Sequence, residues 1–132
     1  MSTTTDPIAD MLTRLRNGLN SNKDEVRMPY SRLKEAVVRV IADQGFLAKV
    51  EVATEDDRKY LIVKLMDVTG HPSMSHLKRL SSPGRRLYVP ADKIPTVRRG
   101  RGIVVVSTSA GLMAGHQAKT KRLGGELICE VY

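Results

Sequence analysis

Gly102-Ile103-Val104-Val105-Val106-Ser107-Thr108-Ser109-Ala110-Gly111 is the stretch whose reading decides the architecture. Ile103 to Val106 is continuously apolar and β-branched. It has neither the alternation of a half-exposed strand nor the length of a helix, so it reads as a central strand covered on both faces. The hydroxyls of Ser107, Thr108 and Ser109 follow at once. Hydroxyls both donate and accept hydrogen bonds. Such a run is either a polar strand end with a cap or a surface able to read ribose hydroxyls and base edges.

Around this strand the β signals are short and punctuated by Gly and Pro. Ser75 to Leu80, Leu87 to Val89 and Glu126 to Val131 read as strands. Asp92 to Val97 holds a helical turn between Pro90 and Pro95, and Gly115 to Leu123 reads as a short helix. Val68-Thr69-Gly70-His71-Pro72 marks a boundary between domains 1–69 and 70–132.

Upstream of that boundary the pattern is helical. Thr5 or Asp6 caps a helix with Pro7 at its first position, where a missing N–H costs nothing. Ile8, Met11, Leu12, Leu15 and Leu19 form its apolar stripe, and Gly18 with Asn20-Ser21-Asn22 ends it. Ser31 caps a second helix that buries Leu33, Val37, Val40 and Ile41 and stops at Gly45. Val26 to Met28, Phe46 to Val52 and Tyr60 to Met66 read as strands, the last two joined by a turn over Glu55-Asp56-Asp57-Arg58. The order α-β-α-β-β, followed by a mostly β half with a short helix, gives an α+β fold class.

Charge divides the chain at the same boundary. Residues 1–69 hold 11 Lys/Arg and 11 Asp/Glu, whereas residues 70–132 hold 11 Lys/Arg and only Asp92, Glu126 and Glu130. The entire net charge of +8 therefore belongs to the second half, which suggests a one-sided surface for a polyanion. No apolar run approaches the ~20 residues of a membrane-spanning helix. The first residues lack the basic and apolar pattern of a secretory signal. The single cysteine, Cys129, builds no internal disulfide framework and fits a reducing cytosol.

Catalytic and metal constellations are missing from the sequence. His71, His76 and His116 match no metal-site spacing, and Gly100-Arg101-Gly102 lacks the third glycine of a dinucleotide loop. A hydrolase using Ser107 or Ser109 with His116 needs an orienting carboxylate, and none lies between Asp92 and Glu126. No cofactor is expected.

Pro83-Gly84-Arg85-Arg86-Leu87-Tyr88 sets two arginines after a turn and an aromatic two residues on. Guanidinium groups fork onto phosphate and tyrosine stacks on bases, while the alternative is a solvated turn with Tyr88 half in the core. Arg98-Arg99-Gly100-Arg101 is a denser cluster with freedom for close backbone approach. Lys119, Lys121 and Arg122 serve equally as phosphate ligands or as compensation of a helix dipole. Gly124-Gly125-Glu126 reads as a tight approach beside an acceptor for base amino groups, or as a hairpin turn.

Taken in order, Asp6-Pro7-Ile8-Ala9-Asp10-Met11-Leu12-Thr13-Arg14, Ser82-Pro83-Gly84-Arg85-Arg86-Leu87-Tyr88, Ile94-Pro95-Thr96-Val97, Gly102-Ile103, Ser107-Thr108-Ser109, Gly111 and Gly124-Gly125-Glu126-Leu127-Ile128-Cys129-Glu130-Val131 resemble the family of small-subunit ribosomal protein number eight, over essentially the whole chain. The resemblance implies two tightly associated α+β domains in a cytoplasmic ribonucleoprotein. It implies direct binding to an irregular helix in the central domain of 16S rRNA and assembly of the subunit platform. It also implies contact with neighbouring ribosomal proteins, the fifth among them, and in some bacteria repression of the protein's own operon mRNA. The RNA surface it implies comprises Ser107, Thr108, Ser109, Gly124, Gly125, Glu126, Arg85, Arg86 and Tyr88, with a second contact at Thr5, Asp6 and Pro7. Pro83, Gly84, Arg98, Arg99, Arg101 and Lys119 join it on charge and turn chemistry.

The chain departs from the family where Ala110 replaces a lysine, Ser81-Ser82 replaces Ser-Lys, and Ala114-Gly115 stands where Thr-Asp caps a helix. Arg98, Arg99 and Arg101 are expected to restore the lysine's charge. A non-specific architectural nucleic-acid-binding protein is the alternative, and it predicts equal affinity for duplex DNA and structured RNA.

Overall fold

The computed structural model describes residues 6–65 and 74–132. Thr5, His71 and the predicted boundary at 68–72 lie outside these residues.

Helix α1 spans Pro7–Asn20, and its N-cap is Asp6, whose carboxylate accepts from the Ala9 N–H at 3.2 Å. Gly18 does not end this helix. It lies buried within it, because a Cβ there would stand 2.6 Å from Val26 Cγ2 and 2.8 Å from Leu65 Cδ1. Strand β1, Glu25–Pro29, precedes α2, Arg32–Asp43, which Ser31 caps through the Lys34 N–H. Gly45, at φ +88°, follows the cap Gln44; its N–H donates to Ala42 O and that of Phe46 to Ile41 O, which completes a Schellman end. The buried side of α2 is Lys34, Val37, Val38 and Ile41. Leu33, expected there, is 48% exposed, and Val38 takes the interior place because α2 meets two neighbouring layers.

Strands β2, Lys49–Glu55, and β3, Arg58–Lys64, form a hairpin over Asp56 and Asp57, both at positive φ, as a two-residue turn with right-handed twist requires. Both strands begin and end a few residues from their predicted bounds. The sheet order is β1-β3-β2.

The C-terminal sheet contains β4, Leu77–Arg79; β5, Tyr88–Val89; β6, Ile103–Thr108; β7, Gly111–Ala114; and β8, Gly125–Val131. Its order is β4-β8-β6-β7, and β5 pairs with the start of β8 beyond the end of β4. Strand β6 is central, as its composition requires. Ile103 and Val105 face the large core shared with α1 and α2, while Val104 and Val106 face a second core with Ala118 of helix α3, Gly115–Thr120. Strand β7 has no separate signal in the sequence, because four residues after a turn carry too little alternation.

The layers are therefore sheet, α1 with α2, sheet, α3. The larger core spans both halves of the chain, from Ile8 and Leu61 to Val105 and Cys129. The buried Cys129 thiol is pushed up to about 12 by burial and so remains protonated and unreactive at neutral pH. Helix α3 starts at Gly115 after the N-cap Ala114, which offers no side-chain acceptor; instead Gln117 Oε1 accepts from the Ala114 N–H at 3.0 Å. Among the described residues no helix is long and apolar enough to cross a membrane.

Candidate nucleic-acid interface

Three strands converge at one end of the C-terminal sheet. Tyr88 of β5 stands opposite Glu126 of β8, which stands opposite Ser107 of β6. Directly opposed residues project from the same face, so the three form one row. The next row is Val89, Gly125 and Thr108. Tyr88 is 70% exposed, whereas Ser107 and Thr108 are half-buried and Ser109 is exposed. The predicted hydroxyl run is thus in the open, with Ser107 and Thr108 on the strand itself rather than beyond it.

The row owes its alignment to a bulge. Val105 pairs with Cys129 but Val106 pairs with Leu127, so Ile128 is an extra residue in β8. An extra residue reverses the alternation. Ile128 and Cys129 both enter the large core, Leu127 the small one, and Glu126 returns to the face of Ser107 and Tyr88.

The paired glycines make the approach possible. A Cβ at Gly125 would stand 2.1 Å from the Ser107 carbonyl oxygen, and one at Gly124 would stand 2.5 Å from Val89 O. The close approach is to neighbouring segments of the same chain; Gly125 opens β8 and Gly124 immediately precedes it, so the pair leads into a strand rather than forming a hairpin turn.

Glu126 is held from two sides. The fully buried Ser81 hydroxyl and Arg86 Nη1, the latter at 3.1 Å, both donate to Oε2, and Ser81 Oγ in turn accepts from the Leu87 N–H at 3.0 Å. Burial works against the charged form of Glu126. Hydrogen bonds from Ser81 and Arg86, with the charges of Arg86 and Arg79, outweigh it and hold the carboxyl below the usual carboxylate range. A folded value below the unfolded one (~4.3) means a stabilising contribution that is present above that pH and lost as pH falls through the folded value. Thermal unfolding of wild type and Glu126→Gln across pH 3–7 checks this: the wild-type advantage at neutral pH should shrink on acidification. A gap independent of pH would reject the sign.

Arg85 and Arg86 are exposed around the turn Ser82-Pro83-Gly84-Arg85, which two backbone hydrogen bonds between Ser82 and Arg85 close at 2.9 and 3.0 Å. The N-terminus of α1 joins the same edge. Asp6 Oδ2 accepts from Arg79 Nε at 3.0 Å, and the Asp6 charge also reaches Arg86. Arg79 also donates to Ile128 O at 2.8 Å, so it ties the helix cap to the bulge. Arg79 and Ser81 are the residues the sequence reading missed. The available signal was an arginine two positions from Leu77, on the inward side of a predicted strand.

Thr108 is less available than its neighbours. Its Oγ1 donates to Gly111 O at 2.8 Å and accepts from the Ala110 N–H at 3.1 Å, fastening the β6–β7 turn. Among the described residues, the side-chain hydroxyls of Ser107 and Ser109 have no such bonds.

Not every predicted residue meets at this edge. Lys119 lies on α3, beside Ala91, Asp92 and Arg122, and donates to Thr96 Oγ1 at 3.3 Å. Arg98, Arg99 and Arg101 precede β6, at its opposite end. Five steps of ~3.3 Å along β6 put Thr108 about 17 Å from that end. They cannot restore charge at Ala110, contrary to expectation. His116 is engaged by Gln44 at 2.8 Å and has no carboxylate partner among the described residues, so it lacks the orienter a hydrolase needs.

The sequence model of the family described as Ribosomal protein S8 matches residues 6–132. The chain is 45% identical over 128 residues to the small ribosomal subunit protein uS8 of Desulfovibrio desulfuricans, covering 97% of this chain and 98% of the relative. It is 44% identical to that of Thioalkalivibrio sulfidiphilus over 127 residues, covering 96% and 97%. It is 43% identical to that of Thermus thermophilus over 136 aligned positions, covering 97% and 99%.

Proposed function

We propose, from the premise that this chain belongs to the ribosomal protein S8 family and is a non-enzymatic, rRNA-binding component of the small ribosomal subunit, that it grips one irregular RNA helix with the edge built from Tyr88, Glu126 and Ser107. The carrying observation is that row, flanked by Ser109, Arg85, Arg86 and the Asp6–Pro7 start of α1. Regular A-form RNA hides its bases in a deep narrow groove, so a protein reads sequence where the helix is distorted and a base is free to stack. Tyr88 supplies the stacking face. Ser107 and Ser109 supply donors and acceptors for ribose hydroxyls. Arg85 and the free edge of Arg86 supply the phosphate contacts and hence the salt dependence.

The RNA we assign is the central domain of 16S rRNA. The fifth ribosomal protein is a proposed neighbour, and the protein's own operon message is a proposed second target if it folds into the same distorted helix. Residues 70–132 carry most of the RNA surface in this reading, and residues 1–69 serve as scaffold, with protein contacts and the RNA contact at Asp6–Pro7. The contrast between a neutral first half and a second half that carries the whole +8 supports this division, although they share one core.

Nuclease footprinting of the protein on small-subunit rRNA tests the assignment directly. Protection confined to one irregular helix of the central domain is the expected pattern, and diffuse protection, or equal competition by duplex DNA, would overturn it. Tyr88→Ala should weaken binding to that helix by about tenfold or more, since stacking contributes ~1–3 kcal/mol per base. Thermal stability should hardly change, because the ring is largely exposed. An unchanged affinity would remove Tyr88 from the interface.

A further inference from the structure

We propose that the Arg98–Arg101 loop is a separate site for the phosphate backbone of a second RNA segment, so that one chain clamps two RNA segments at opposite ends of β6. The inference rests on the RNA-binding reading above and adds a second grip to it.

Position is the first observation. The loop enters β6 at Ile103, whereas Thr108 leaves it toward the Tyr88–Glu126–Ser107 row. About 17 Å of strand separates them, five steps of ~3.3 Å each. A phosphate held by Arg99 or Arg101 is therefore not one adjoining a base stacked on Tyr88.

Charge is the second. Arg14, Arg27, Arg39, Arg79 and Arg86 each have an acidic partner within 3.1 Å. Among the described residues Arg98, Arg99 and Arg101 have none, and all three are exposed. Glu130, on neighbouring β8, pairs with His76 at 3.4 Å instead. Three guanidinium groups within four residues repel one another, and an isolated protein gains nothing from placing them so.

Presentation is the third. Arg98 and Arg99 both hold positive φ, 49° and 55°, a region that costs a non-glycine residue about 1 kcal/mol or more. Arg98 lies over the Tyr132 ring at 4.1 Å, and Tyr132 stacks on His76 with centroids 4.2 Å apart. A guanidinium held over an aromatic ring by cation–π attraction still has N–H groups to give to a phosphate, and it has less freedom to lose on binding. The N–H groups of Gly100 and Gly102 both donate to Val97 O, which ties the loop back on itself. The cations are therefore presented by side chains, Arg98 seated on Tyr132 and Arg99 and Arg101 exposed beside it, with no role for those amides as ligands.

Two RNAs separate this site from the first: the irregular helix alone, and a longer small-subunit fragment that carries the same helix with its natural flanking segments. The test compares the full-length wild type with Arg98→Ala/Arg99→Ala/Arg101→Ala in filter-binding titrations across salt. The variant should bind the isolated helix within twofold of wild type and with the same salt slope. On the longer fragment it should lose at least tenfold, and its log–log salt slope should fall by about 2, from ~0.7–0.9 per phosphate contact. Arg99→Glu/Arg101→Glu, which leaves Arg98 on Tyr132, should give a larger loss on the longer fragment only, guarding against a local folding defect in the triple variant. Equal losses on both RNAs would make the loop part of the first site and overturn the proposal. No loss on either would leave the loop to face a protein or solvent and would overturn it too. Failure of the wild type to bind the isolated helix would instead sink the functional reading on which the proposal rests.

Discussion

Gly125→Ala is expected to destabilise the protein by about 3 kcal/mol, the upper end of what overpacking usually costs. The reason is the nature of the obstacle. The new methyl would meet the Ser107 carbonyl oxygen at 2.1 Å, its carbon at 2.9 Å and Val106 Cγ1 at 3.1 Å. Side chains can rotate away from a methyl group, but a carbonyl in a strand ladder cannot. Strands β6 and β8 must part where Ser107 faces Glu126, so RNA affinity should fall together with stability. Gly84→Ala is the control: its Cβ would enter open space and its φ is not positive, so it should be close to neutral. Thermal unfolding of both variants, with titration of the irregular RNA helix, decides the matter. Equal stability of the two would show that the sheet yields at Gly125 and that the glycine is not required by packing.

The second large effect falls on the seam between the helical layer and the C-terminal sheet. Asp6→Ala should cost about 3 kcal/mol, from a lost N-cap of ~1 kcal/mol and an uncompensated, largely buried Arg79. The Asp6 and Arg79 side chains are each only 15% exposed, which distinguishes this pair from the surface pairs Arg14–Asp10 and Arg27–Glu55. Asp6→Asn preserves the cap's acceptor while removing the charge, and so divides the loss between its two causes. Asp6→Asn/Arg79→Met should recover part of the loss, since a buried pair replaced by apolar groups is often close to neutral. Urea unfolding of wild type, Asp6→Asn, Arg79→Met and the double variant completes the cycle. Additive effects would mean that the two residues act separately and that the cap alone matters.

Much of the architecture is legible in the sequence, because it depends on local rules. Ser31 followed by an apolar period, and Gly45 after it, specify a helix with a left-handed stop wherever they occur. Asp56-Asp57 between two alternating runs specifies a tight hairpin. Leu33 and Gly18 were misread for a shared reason. Periodicity reports that one face of a helix is buried but not how many layers press on it, and a mid-helix glycine resembles a stop until a neighbour such as Val26 is seen against it.

The candidate site divides in the same way. Composition alone places the excess positive charge in residues 70–132, the hydroxyls at the end of an apolar strand, and the glycine pair ahead of the last strand. These are properties of neighbours along the chain. Which face each residue serves depends on pairings between segments far apart in sequence. The single extra residue at Ile128 turns Glu126 toward Ser107 and Tyr88, Arg79 ties the cap of α1 to that bulge, and the length of β6 holds the arginine loop away from the hydroxyls. A strand's alternation has period two, so one bulged residue exchanges inside for outside, and the register that places it is chosen by the packed sheet and its two cores.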